Sequence, residues 1–138
     1  MRIKAFPILL LVAASPALHA ACLLGDYSVS SEFGRSESVV TGIVMAARVV
    51  QNAQHSWPEL GIAYTVQVER TYRGKPAKEL VVFSENNSGR FPMELGVDYV
   101  LFLYKAGSHL EADYCGNSGQ VAHKQKVLAT LATMSHAR

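Results

Sequence analysis

Five short segments rich in β-branched and aromatic residues, each closed by turn formers, occupy the chain between Glu37 and Cys115. Glu37 to Val50 carries Val39, Val40, Ile43, Val44, Val49 and Val50, a composition that favours a long strand. Gly42 within it marks a bulge or sharp bend of the kind small barrels use. Gln51 to Gly61 reads as a loop, with Asn52, Ser56 and Pro58 as breakers. From Ile62 to Tyr72 the pattern alternates, Ile62, Tyr64, Val66 and Val68 against Thr65, Gln67 and Glu69, which predicts a half-buried antiparallel strand. Arg73-Gly74-Lys75-Pro76 turns the chain into a third strand, Glu79 to Ser84. After the turn Glu85 to Gly89, the run Gly96 to Tyr104 is almost wholly apolar, so it is expected to be buried on both faces. Lys105-Ala106-Gly107 then leads into a fifth strand, Leu110 to Cys115.

The flanks differ. Tyr27 to Arg35 is polar and Ser-rich, with room for a short helical turn. Gln120 to Met134 loses β-branching and gains helical spacing, with Val121, Leu128, Leu131 and Met134 as one stripe and Lys124 and Lys126 outside it. The fold class is therefore mostly β: a five-stranded OB-fold-like barrel with a C-terminal helix. Tyr64, Tyr72, Phe83, Tyr99, Phe102, Tyr104 and Tyr114 are assigned to the barrel core.

The chain opens with a segment of another kind. Arg2 and Lys4 precede an apolar run from Ala5 to Ala14, and Ser15, Pro16 and Leu18-His19-Ala20-Ala21 follow. That is the three-part layout of a secretory signal peptide. Its apolar core is shorter than the about 20 residues a membrane-crossing helix needs. Residues 1–20 are read as signal and 21–138 as the domain, with cleavage after Ala20 preferred to cleavage after Ala21. Cys22 at the end of the run leaves lipid attachment open, although His19 stands where such a signal wants an aliphatic residue. Without Arg2 and Lys4 the 13 basic residues fall to 11 against 11 acidic ones, so the mature domain is near neutral. No basic block remains to carry a nucleic-acid or anionic-membrane footprint. The expected location is secreted or periplasmic, with no membrane span in the mature form.

Both cysteines, Cys22 and Cys115, lie in the mature part. In an oxidising compartment such a pair is most simply a disulfide. Two buried free thiols are the alternative. A two-cysteine metal site is disfavoured, because no His or third Cys stands at ligand spacing.

Ala21-Cys22, Ser38-Val39-Val40-Thr41-Gly42-Ile43-Val44, Tyr72-Arg73-Gly74, Asp98-Tyr99-Val100-Leu101-Phe102 and Leu110-Glu111-Ala112-Asp113-Tyr114-Cys115-Gly116 follow one another in that order. In that order they resemble the netrin-like domains of the tissue inhibitors of metalloproteinases, bacterial relatives included, over nearly all of the mature chain. The resemblance implies an OB-type five-stranded barrel with flanking helices. In that family the mature chain begins with Cys-x-Cys, and the amine and carbonyl of the first cysteine bind the zinc of the target protease. Here Cys22 and Cys115 match the second pair of cysteines. The zinc-binding position falls at Ala20, and its partner position near Ser88 is not Cys either. The resemblance therefore implies an exported, non-enzymatic protein-binding module. Its contact ridge would be Ala21, Cys22, Leu23 and Leu24 with the Phe91-Pro92 loop, against an exported or periplasmic protein, a zinc metalloprotease among the candidates. A weak metalloprotease inhibitor acting through the free N-terminus at Ala21 is the second expectation.

The rival from another class is a small exported hydrolase or metal-dependent enzyme. No Gly-x-Ser-x-Gly, His-Glu-x-x-His or phosphate-cradling Gly-rich loop occurs, so no catalytic residue, cofactor or intrinsic metal is assigned. His55, His109, His123 and His136 are read as surface histidines; His109 and Asp113, placed on one strand, would stand about 13 Å apart. Ser88 in Asn87-Ser88-Gly89 is turn chemistry. Trp57-Pro58, in the loop between the first two strands, is a further candidate contact.

Overall fold

A computed structural model describes residues 22, 25–51 and 59–136. The elements run α1 (Val29–Arg35), β1 (Ser38–Gln51), β2 (Glu59–Arg73), β3 (Glu79–Glu85), β4 (Asp98–Ala106), β5 (His109–Ala112), β6 (Gly119–Gln120) and α2 (Gln125–His136), with a 3-10 turn at Val121–His123 before α2. Strands β1-β2-β3-β5-β4 pair in that order and β4 pairs back onto β1, so five strands form a ring. Every pairing in it is antiparallel except β3–β5, which is parallel through Val82 and Leu110. The fold is the mostly β barrel with a C-terminal helix that the strand spacing predicts.

β1 belongs to two walls at once. Its first half, Ser38 to Ile43, pairs with β4, and Val39 to Gln51 pairs with β2 with slips in register. The bend this requires falls where the register slips, between Thr41 and Gly42 and again between Val44 and Ala46. An ideal Cβ at Gly42 would stand 2.4 Å from the Gln67 carbonyl oxygen and 2.8 Å from Val66 Cγ1, so the two strands meet there only because residue 42 has no side chain.

Strand periodicity divides the core into two. Val40, Val44, Tyr64, Val66, Val82, Tyr99, Leu101 and Leu103 fill the barrel interior. Val39, Val100 and Phe102, the alternate residues of β1 and β4, point outward and pack with Phe33 of α1 and Leu131 of α2. β4 is therefore apolar and buried from Tyr99 to Leu103 because one face lines the barrel and the other carries both helices. Ser28 caps α1, its hydroxyl accepting from Ser31 N at 3.3 Å, and Ser28 N in turn donates to Asp26 Oδ1 at 2.9 Å. That bond from Ser28 holds the Asp26 carboxyl below its ordinary range.

Four sequence expectations are corrected here. The fifth strand ends at Ala112, and Asp113 to Ser118 forms turns instead of continuing to Cys115. The cause is local: Asp113 Oδ1 accepts from Cys115 N at 2.8 Å, closing an Asx-type turn. His109 and Asp113 consequently do not share one strand. The C-terminal helix begins at Gln125, not Gln120, because Gly119–Gln120 adds a short sixth strand to β4 opposite Val100 and Tyr99. Tyr104 and Tyr114 are not core residues; they are 39% and 59% exposed.

Candidate functional site

The disulfide joins Cys22 to Cys115 across 93 positions, with the two Cα atoms 5.4 Å apart, and leaves no free cysteine. The turn that carries Cys115 is held from α1. Glu32, 5% exposed, accepts from Asn117 N and from Asn117 Nδ2, both at 2.7 Å, and the same Asn117 amide donates to the Tyr27 carbonyl at 2.7 Å. A side chain at Gly116 would collide with that carboxylate. The far end of the turn is fixed by Ser118, whose hydroxyl accepts from Phe102 N at 2.9 Å. These bonds satisfy a buried carboxylate and orient the disulfide against a rigid base.

Beside the disulfide lies an open groove of about 440 Å³, whose walls include Cys22, Phe91, Pro92, Glu94, Tyr114 and Cys115. The Phe91–Pro92 wall is set by two contacts. Phe91 N donates to the buried Ser84 hydroxyl at 2.9 Å, and the Phe91 ring meets Tyr99 edge-on with centroids 6.2 Å apart. Tyr99 Oη accepts from Glu94 N at 3.0 Å, which fixes the chain just beyond Pro92. Pro92 and Tyr114 are exposed and face a groove whose other lining mixes apolar surface, such as Phe91 and the disulfide, with the polar side chains of Glu94, Ser118 and Gln120. Such a groove can take up an apolar side chain or a short extended segment between two rigid walls.

An acidic surface adjoins it. Glu111 and Asp113 stand around Tyr104, whose hydroxyl donates to Glu111 Oε2 at 3.4 Å. Burial first, and then these carboxylates, disfavour the phenolate and push the Tyr104 pKa up to about 12 from 10.0. The folded value lies above the ordinary one, so this group's contribution to stability is whole below pH 10.0 and is lost as pH rises through about 12. An ultraviolet difference titration should show a component near pH 12 whose amplitude falls by one tyrosine in Tyr104→Phe. An undiminished component in that variant would contradict this assignment.

Of the predicted contact residues, Cys22, Phe91 and Pro92 come together in this one groove. Ala21, Leu23, Leu24 and Trp57 lie outside the described residues, as do His55 and residues 1–20. Sequence reasoning missed Tyr114 and Glu94 as groove residues. The turn pattern Asp113-Tyr114-Cys115-Gly116 was the available signal, since Asp and Gly three apart favour a turn whose intervening side chain is exposed. His109 is exposed and lies against the Phe83 ring, centroids 5.0 Å apart, and His123 is exposed in the 3-10 turn. Among the described residues, no three His, Cys, Asp or Glu side chains converge as a metal-ligand set, and no helix is long and apolar enough to cross a membrane. Comparison with protein-family models gives no match, and comparison with curated proteins gives none either.

Proposed function

We propose that this chain is an exported, non-enzymatic, netrin-like module that binds a protein partner along the disulfide groove. One observation carries the reading: the disulfide sets Cys22 into the same groove as the exposed Pro92 and Tyr114. A ridge pinned in this way loses little conformational entropy on contact, which is the main cost a flexible N-terminus would bring to binding. The ring order of the strands and the placement of Cys115 just after β5 support the netrin-like assignment. A disulfide supports export, because such bonds persist in oxidising compartments.

A photo-crosslinking residue placed at Tyr114 in the producing cell tests the reading. One discrete adduct with an exported protein is expected, and none when the same residue replaces Lys126 on α2. Equal labelling at both positions, or no adduct at Tyr114, would refute the groove as a binding site.

A further inference from the structure

A second concavity, of about 490 Å³, lies on the outer face of β1, β2 and β3 and shares no lining residue with the disulfide groove. Its shape follows from register. Arg48 pairs with Ala63 and Ala63 with Phe83, and in the next row Val50 pairs with Gly61 and Gly61 with Glu85. Directly paired residues share a sheet face, so two small residues on β2 stand between larger ones on either side. The result is a trough. Phe83 leans into it, since an ideal Cβ at Gly61 would lie 2.8 Å from Phe83 Cζ. Val81 and Leu60, 56% and 45% exposed, form apolar margins. His109 of β5 closes the far wall against Phe83, with the two rings tilted by 37°.

An exposed apolar hollow on the outside of a barrel is costly unless something uses it. Its volume falls within the about 300–1,000 Å³ typical of small-molecule sites, which are mostly apolar with a few convergent polar groups. The polar groups here are unequal. The Glu85 carboxylate already accepts from the Asn87 side-chain amide. No described residue forms a hydrogen bond or ion pair with the exposed Arg48. Among the described residues, the charge of the trough left without a partner is thus a cation on β1, and Glu85, at the opposite corner, repels an anion from that end.

We propose that this trough binds a small, flat aromatic carboxylate. The guanidinium of Arg48 takes the carboxylate as a planar fork. The aromatic body lies on Ala63 and Val81, with its edge toward the Phe83–His109 pair. The proposal is independent of the disulfide groove and its partner.

The probe is 2-naphthoate, titrated into the full exported protein and followed by amide chemical shifts. Saturable shifts are expected at Ala63, Val81 and Phe83. Arg48→Ala, a surface change that leaves the core intact, should weaken binding at least about tenfold. Val81→Asp should weaken it similarly, and 2-naphthamide, which lacks the charge, should bind at least about tenfold less tightly. The proposal is overturned by absence of saturation up to about 1 mM, by shifts confined to the disulfide groove, or by Arg48→Ala titrating like the parent protein.

Discussion

Replacing Cys22 and Cys115 together by serine should lower stability by about 4 kcal/mol or slightly more. The bridge closes a loop of 93 positions, most of the described domain, so its absence enlarges the unfolded ensemble more than a short bridge's would. Few native contacts outside the bond itself should change, because the turn around Cys115 has its own anchors in Glu32, Asn117 and Ser118. Urea unfolding of the double variant, and of the parent protein with its disulfide reduced, should give the same large drop in midpoint. A loss below about 1 kcal/mol would mean that the unfolded chain is already compact near its ends. The same variant should lose the Tyr114 crosslink while remaining folded in strong buffer at low temperature, because the wall containing Cys22 is then no longer tied.

Phe102→Ala is expected to cost about 3–5 kcal/mol. The ring is 1% exposed and sits on the outward face of β4, packed with Phe33, Val39 and Leu131. Those neighbours come from α1, β1 and α2, three elements that cannot all move inward without breaking the ring, so a cavity should persist. Loss of the side chain also loosens the seat of α2, whose buried anchor is Leu131. Equilibrium unfolding should show the midpoint fall, and hydrogen exchange should show α2 protection dropping more than that of β2. Tyr104→Ala, on the same strand but 39% exposed, should cost far less. If both changes cost alike, the outer layer is not a packed core.

The parts of the fold legible from sequence were those whose pattern is local. Ile62, Tyr64, Val66 and Val68 alternate because one face of β2 lines the barrel, and all four join the inner cluster. The unbroken apolar run in β4 announced its two covered faces, and Gly42 announced the bend. The misjudged boundaries lie where a side chain outbid strand propensity. Tyr114 is a strand former by type, yet Asp113 draws the chain into a turn, and Gly119–Gln120 joins the edge of β4 before the helix starts. At the disulfide groove, the cysteines and the Phe91-Pro92 loop could be named from the chain; Tyr114 was signalled only by its turn pattern and Glu94 by nothing local. The trough was invisible for a different reason: its floor and walls come from register across three strands, and no single segment contains that pattern.

The parallel pairing of Val82 with Leu110 has a consequence for how the molecule is assembled. In a chain delivered N-terminus first, β3 keeps an open edge until Leu110 emerges, however early β1 and β2 have zipped together. Cys115 follows only a few residues later and brings the partner that Cys22 needs. Sealing of the cylinder and fastening of its covalent clasp thus fall at nearly the same moment of synthesis, and a nascent chain stopped short of that point has neither.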